Sequence, residues 1–551
     1  MGLRYLLFLK IFIALLLIQN ISLAQTITLS GTVTDKVEKI SLDSALVEIV
    51  NKNNPLEKYS TFSDASGSWQ YQFTPSDVND KSDKPINFSL SQNYPNPFNP
   101  STKINFSLME YGTVTFTAYS VIGEEIDRKT FQLDAGNYSV TWTSKGSAGV
   151  ILYSMEFDNR QIVKKMIQLD GGGSGGWGAI SGSSNTFLSK GNEITNAEFY
   201  VIASKLAYEP DTTLHQLTGN LKIDFELDLV HNAAFVIDLH NDILELLGDD
   251  ENIGDSNPQY QTDLPRLKAG GVDAQVFAMW PNVGSDPSEG YEQVIGYADK
   301  FFNQVDKNSF TLMQATNPEE LQSGIDEGKI AGILAVEGGS AIEDDLNKLK
   351  EFYDLGVRYM TITWNYNSNW AVSAKDAESK TRGLSEFGKQ VIKMMDSLGM
   401  IIDVSHTGVK TIEDILTVTK NPIIASHSGV WKLNNHYRNL TDAQIISIAK
   451  SRGLIGVVFY KSFLSRSNDV TIETVIQHID YIKKLVGINF IALGSDFDGG
   501  ITTPVGLEDA SKFPALTYAL LKHGYTNSEV KQILGGNFLR VFNEVCGKKN
   551  R

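Results

Sequence analysis

The sequence predicts a multidomain chain in which a C-terminal (β/α)8 TIM barrel follows all-β sandwich domains. Three observations carry this. Over residues 233–548 short apolar runs alternate with amphipathic helical stretches. Eight buried strands with helical crossovers in about 315 residues is the arithmetic of such a barrel. Five of the runs end in His, Asp or Glu, which suits a barrel mouth and is not needed in an open doubly wound sheet. Upstream, period-two alternation broken by Gly- and Ser-rich turns predicts strands.

The 551 residues exceed what one hydrophobic core supports, so several domains are expected. Hydrophobic content of 42% and charged content of 21% are those of an ordinary soluble protein. A formal net charge of −17 excludes the basic footprint of a nucleic-acid binder. Residues 1–24 read as a secretory signal: Arg4 and Lys10 supply positive charge, Ile11 to Ile18 is apolar, and Ser22-Leu23-Ala24 offers a cleavage site before Gln25. That run is shorter than the roughly 20 residues a spanning helix needs, and no transmembrane segment is expected after signal removal. An extracytoplasmic location follows: secreted, periplasmic or cell-surface. Cys546 is the single cysteine, so no internal disulfide forms.

In the N-terminal part, Thr26 to Val33 and Ala45 to Ile49 alternate, and Ser63 to Tyr71 is a turn entering a strand. The Ser63-Asp64-Ala65-Ser66-Gly67-Ser68-Trp69 turn resembles one that recurs in carboxypeptidase regulatory-like sandwiches. Residues 87–170 open on Leu90 to Thr102, rich in Asn and Pro, with strands expected at 103–108, 113–119, 138–143 and 150–157. With Asp134-Ala135-Gly136-Asn137-Tyr138 and Gly149-Val150-Ile151-Leu152-Tyr153, this segment resembles the sorting domain of type IX secretion. In that family the domain ends the chain; here the predicted barrel follows it. Gly171 to Gly178 reads as a Gly-rich linker. Alternation then resumes at Glu198 to Ala203 and Leu221 to Leu227. Residues 25–86 and 179–230 are therefore expected to form one discontinuous sandwich, interrupted by the sorting-like unit at 87–170. These β modules are candidates for contact with the cell surface or the secretion machinery.

The barrel runs are 235–239, 273–279, 331–336, 357–363, 400–404, 422–425, 454–459 and 490–494. The first ends in His240-Asn241-Asp242, the third in Glu337-Gly338-Gly339 and the fifth in Asp403-Val404-Ser405-His406. The sixth ends in Ser426-His427-Ser428 and the eighth in Ser495-Asp496-Phe497-Asp498. Strand ends converge on one mouth in a barrel, so three imidazoles and several carboxylates meet there. One such ending is ordinarily a hydrogen-bonded core pair; five on five strands point to a divalent metal site. His240 and Asp242, two apart, share a strand face. More donors converge than one zinc needs, which favours two ions, with a carboxylate such as Glu337 able to bridge them and a shared hydroxide as nucleophile. Alternation also puts Asp496 and Asp498 on one face.

These endings, taken in order with Arg438-Asn439, Leu264-Pro265-Arg266-Leu267, Leu355-Gly356-Val357-Arg358-Tyr359 and Gly535-Gly536-Asn537, resemble the membrane (renal) dipeptidase family over about 233–545. The resemblance implies two zinc ions. His240 and Asp242 would hold one, His406 and His427 the other, and Glu337 would bridge them. It implies Asp496 as the acid/base residue, Arg438 as the clamp for a dipeptide's free carboxylate, and Tyr460 as a further pocket residue. It also implies pairing into homodimers. Animal members carry a His after the fourth run; here Thr363-Trp364-Asn365 stands there, as in many bacterial relatives. The Trp364 indole N–H and the Asn365 amide are the donors left at that place. Asp403 is expected behind the ligands, and His436 in a loop.

The leading expectation is a secreted binuclear zinc dipeptidase that cleaves dipeptides with a free C-terminus through a metal-bridging hydroxide. The alternatives are a related metal-dependent amidohydrolase acting on N-acyl amino acids, lactones or cyclic amides, and a non-catalytic surface binding protein.

Overall fold

The computed structural model describes residues 27–547 apart from 56, 74–88, 95, 97, 109–110, 121–124, 135, 147, 158–159, 170–172, 185–197 and 284–287. The expected signal segment, 1–24, lies outside the described residues. No described helix is long and apolar enough to cross a membrane. The chain forms two compact units. The first comprises the residues up to Thr32, Val47–Ile202 and Thr212–Asp224; the second comprises Val33–Leu46, Ala203–Asp211 and Phe225–Arg551.

The N-terminal region is built of strands. Ile27–Asp35 pairs antiparallel with Ser68–Phe73 and parallel with Leu221–Lys222 and Phe225–Leu227. A second sheet runs in the order Asp211–Gln216, Glu198–Ser204, Leu46–Asn51, Lys58–Phe62. After residue 197, therefore, the chain returns to a sheet begun before residue 63. Between these visits lie two four-stranded sheets. One is ordered Arg160–Gln168, Gly149–Phe157, Gly112–Tyr119, Glu125–Leu133; the other Gly173–Ser184, Gly136–Gly146, Ser101–Leu108, Ser89–Leu90. Alternation works as expected: Thr102, Ile104, Phe106 and Leu108 of one strand turn inward. They join a core of Phe116, Trp142, Tyr153 and Trp177.

The stretch expected as a linker, 171–178, is a strand over its described part. From Gly173 onward these residues belong to a strand paired with Gly136–Gly146. Its glycines serve close backbone approach rather than flexibility. A Cβ at Gly173 would lie 2.2 Å from the Ser144 carbonyl oxygen, and one at Gly175 2.6 Å from that of Thr143. Trp177 packs edge-to-face on Trp142, with ring centroids 5.0 Å apart.

The second unit contains the barrel. Its strands are β1 (Ile237–Asp238), β2 (Ala274–Met279), β3 (Ile330–Glu337), β4 (Val357–Thr361), β5 (Ile401–Asp403), β6 (Ile423–Ser428), β7 (Leu454–Val457) and β8 (Ile491–Leu493). They pair in parallel in that order, each within or overlapping its expected run. The ring closes where the Leu239 N–H reaches the Leu493 carbonyl at 3.0 Å and the Asp496 N–H reaches that of His240 at 3.1 Å. A further strand, Leu312–Gln314, pairs beside the start of β3; three residues are too few for periodicity to reveal.

Helices cover the outside. Glu386–Leu398 starts at Ser385, whose hydroxyl accepts the Gly388 N–H. It buries Val391, Ile392 and Met395, and it stops at Gly399, where φ is +79°. Inside the barrel, Ile237, Ile401, Leu454 and Ala492 meet Phe538, Val541, Phe542 and Val545 of the last helix, Asn537–Cys546. These barrel residues begin their strands or lie one residue in, so the helix floors the end opposite the mouth. Phe542→Ala removes a fully buried ring from this floor. It is expected to cost about 3–5 kcal/mol, read as a lowered denaturant midpoint, without changing the residues at the mouth.

Candidate metal centre

The expected donors come together at the C-terminal ends of β1, β3, β5, β6 and β8. Glu337, last residue of β3, stands between two groups. Its Oε2 is 3.6 Å from His240 Nε2. Its Oε1 is 2.9 Å from His406 Nε2 and 3.5 Å from His427 Nε2. Asp242 Oδ1 lies 3.6 Å from His240 Nε2. Donor atoms of His240, Asp242 and Asp496 lie within 4.8 Å of one another, as do those of His240, Glu337 and His427.

Each imidazole is aimed by a partner on Nδ1. His240 Nδ1 is 2.9 Å from the Tyr359 hydroxyl, which donates its own hydrogen to the Leu239 carbonyl at 2.7 Å. The hydroxyl therefore accepts from Nδ1–H, which turns Nε2 toward Asp242 and Glu337; against burial, Tyr359 and these two carboxylates raise this imidazole well above its ordinary value. His427 Nδ1 is 2.9 Å from Ser426 Oγ, which donates to Asp403 Oδ2 at 2.6 Å. His406 Nδ1 donates to the Asn365 amide oxygen at 3.1 Å. All three Nε2 atoms thus face Glu337.

This donor set fits divalent cations. The buried Nε2 of His240 has no hydrogen-bond partner. His406 and His427 bring two Nε2 lone pairs to 3.1 Å, which repel unless a cation lies by them. Burial, then the Arg438 guanidinium, pushes the His406 imidazole down to about 3. Burial, then His240, pushes His427 well down, so both are neutral as ligands must be. Burial opposes charge on Glu337, yet the facing His240 and His406 hold its carboxyl well below the usual range. Three carboxylates, of Asp242, Glu337 and Asp496, crowd one buried imidazole, a balance that added positive charge relieves.

Backbone strain marks the site. His406, Asp496 and Asp498 have φ of +62°, +66° and +65°. Positive φ also separates the two aspartates that alternation puts on one face. Asp496 joins His240 and Asp242 at the mouth. Asp498 turns away, with Oδ1 accepting the Gln261 N–H at 2.7 Å. Burial, then the charge of Asp242, pushes the Asp496 carboxyl well above its usual range.

Arg438, 3% exposed, follows β6. Its Nη2 donates to the His427 carbonyl at 3.2 Å, its guanidinium lies 5.2 Å from the Phe463 ring centroid, and Nε and Nη1 have no hydrogen-bond partner. Tyr460 packs edge-on against Phe463 at 4.7 Å. His436 is a loop residue whose Nδ1 accepts the Arg438 N–H at 3.2 Å. Trp364 stands beside His406, with rings 6.0 Å apart. Asn365 stands at the same place, its amide oxygen accepting from His406 Nδ1 and from the Tyr437 hydroxyl. Sequence reasoning assigns no role to Tyr359, Ser426, Tyr437 or Phe463. Tyr359 is the most accessible of them to it, two residues before Thr361 on the inward register of β4.

Residues 226–551 match the membrane dipeptidase family, peptidase family M19. Residues 92–168 match the secretion system C-terminal sorting domain. Among solved structures, a dipeptidase of metallopeptidase family M19 superposes with a TM-score of 0.54 at 27% identity, covering 57% of this chain and 99% of its own. A metallopeptidase from Rhodobacter sphaeroides, liganded with a phosphinate mimic of the dipeptide L-Ala-D-Ala, gives 0.53 at 26% identity, covering 57% of this chain and 99% of its own. A probable dipeptidase from Pseudomonas aeruginosa shares the fold at 0.55 and 24% identity, covering 58% of this chain and 97% of its own. With a family match over more than half its length and a buried His and carboxylate cluster at the barrel mouth, the chain belongs to the membrane dipeptidase family, peptidase family M19, and is a metallopeptidase.

Proposed function

We propose that the protein is an exported binuclear zinc dipeptidase acting on dipeptides with a free C-terminal carboxylate. The observation that carries this is the division of Glu337, one oxygen toward His240 and the other toward His406 and His427. In this reading His240 and Asp242 would hold one zinc and His406 and His427 the other, with Glu337 available to both. Bound zinc supplies Lewis acidity toward the scissile carbonyl and acidifies water at neutral pH.

The chain's own residues do the rest. Arg438 has Nε and Nη1 free in a buried setting, which suits two-pronged capture of the substrate carboxylate. Asp496, at the mouth, takes the proton of the attacking water and returns it to the leaving amine. Tyr359, Asn365 and the Ser426–Asp403 pair hold the imidazoles in the ligating tautomer. The dipeptide mimic bound to the Rhodobacter sphaeroides relative supports the substrate class. The sorting-domain match at 92–168 supports export and contact with secretion machinery. We also assign the strands within 27–73 and 198–227 to one discontinuous sandwich that the sorting-like module interrupts.

Three measurements test this. Chelation of the purified protein is expected to abolish dipeptide hydrolysis, zinc to restore it, and metal analysis to return two zinc per chain; hydrolysis that survives complete chelation sinks the reading. Arg438→Ala is expected to raise KM for dipeptides at least about 30-fold, as loss of a buried charged contact does. An N-acyl substrate without a carboxylate would be little affected, and an equal loss on both would favour the broader amidohydrolase reading. Ser426→Ala removes the acceptor of His427 Nδ1 and is expected to weaken zinc binding by about 10–100-fold in chelator competition, with the fold unchanged by circular dichroism.

A further inference from the structure

Trp280 follows β2 and Trp364 follows β4, so both indoles stand at the mouth. Their ring centroids are 4.7 Å apart, and Tyr366 extends the row at 5.4 Å from Trp364. Strand β3 lies between β2 and β4 and ends in Glu337-Gly338-Gly339. A Cβ at Gly338, where φ is +119°, would lie 3.6 Å from the Trp364 Cβ; one at Gly339 would lie 2.6 Å from the Trp370 ring. Any larger side chain at Gly338 would stand at the foot of Trp364. With none there, aromatic rings from β2 and β4 meet across the end of β3, immediately beside Glu337.

This row is partly open to solvent. Trp280 and Trp364 are half-buried, and Tyr366 is 46% exposed. A large aromatic surface left wet beside a charged centre gains by being covered with apolar groups. The clamp lies on the other side of the mouth. In an eight-stranded ring β2 faces β6 and β3 faces β7, and Arg438 follows β6 while Phe463 and Tyr460 follow β7. A dipeptide is short, with its two α-carbons about 3.8 Å apart. When its carboxylate is on Arg438 and its scissile carbonyl over Glu337, its N-terminal residue points toward β2–β4.

We propose that Trp280, Trp364 and Tyr366 form the pocket for the side chain of the dipeptide's N-terminal residue, and that the enzyme favours a large apolar or aromatic group there. This rests on the dipeptidase reading above. Trp280 is the discriminating residue, because it touches Trp364 and no metal-ligating side chain among the contacts described.

The test uses the zinc-loaded full chain with Phe-Ala, Leu-Ala, Ala-Phe and Ala-Ala. Phe-Ala and Leu-Ala are expected to exceed Ala-Ala in kcat/KM by about tenfold, the discrimination a hydrophobic pocket supplies, while Ala-Phe stays near Ala-Ala. W280A and the milder W280L are expected to bring the Phe-Ala to Ala-Ala ratio down toward one, mainly through KM. Cleavage of Ala-Ala as fast as Phe-Ala by the wild type overturns the pocket and leaves the dipeptidase reading standing. A folded W280L that keeps the wild-type ratio also overturns it. Cleavage of none of the four peptides overturns the dipeptidase reading and the pocket with it.

Discussion

Asp238, fully buried at the end of β1, accepts both the backbone N–H and the hydroxyl of Ser495, at 2.7 and 2.6 Å, just beyond β8. The first and last barrel strands are locked together there. One residue further on, the Asp496 N–H reaches the His240 carbonyl; beyond that, the Asp242 N–H reaches that of Phe497 at 2.9 Å. Closure of the ring and assembly of the His240, Asp242 and Asp496 group are therefore one event. Without it, residues more than 250 positions apart have no reason to share a cavity. Burial raises the Asp238 carboxyl to about 6, opposed by the donors from Ser495 and Gln275.

Asp403 plays the corresponding part on the opposite wall. It gathers the hydroxyls of Thr361 and Ser426, each at 2.6 Å, and the backbone N–H groups of Ser426 and Ser405, at 2.8 and 3.1 Å. Strands β4, β5 and β6 are held in register at their ends by one carboxylate, and the imidazole of His427 hangs from the same network. A buried carboxylate is costly unless several donors surround it. Both do have them, and in both the donors belong to neighbouring strands. Rigid strand ends and aimed imidazoles thus come from the same hydrogen bonds.

Much of this was legible along the chain. The eight apolar runs are visible because each parallel strand, buried on both faces, is continuously apolar, and the polar residue that ends a run stands out against it. His240, Asp242, Glu337, His406 and His427 are therefore recognisable by position. Other features are not local. His240 meets Tyr359 across 119 residues of sequence. Asp496 and Asp498 look equivalent until positive φ ends the alternation. The Gly-rich stretch from Gly173 reads as flexible, yet it is a strand, because the backbone it pairs with leaves no room for a Cβ.

The sequence by itself determined the barrel, the strand-end donors and the metal chemistry they imply, because strand period and residue type are properties of short segments. Only the tertiary structure decided which imidazole nitrogen faces Glu337, which of two aspartates enters the mouth, and that tryptophans from β2 and β4 meet over two glycines. Those outcomes depend on closing the ring, and ring closure sets neighbours by strand order around a circle rather than by distance along the chain.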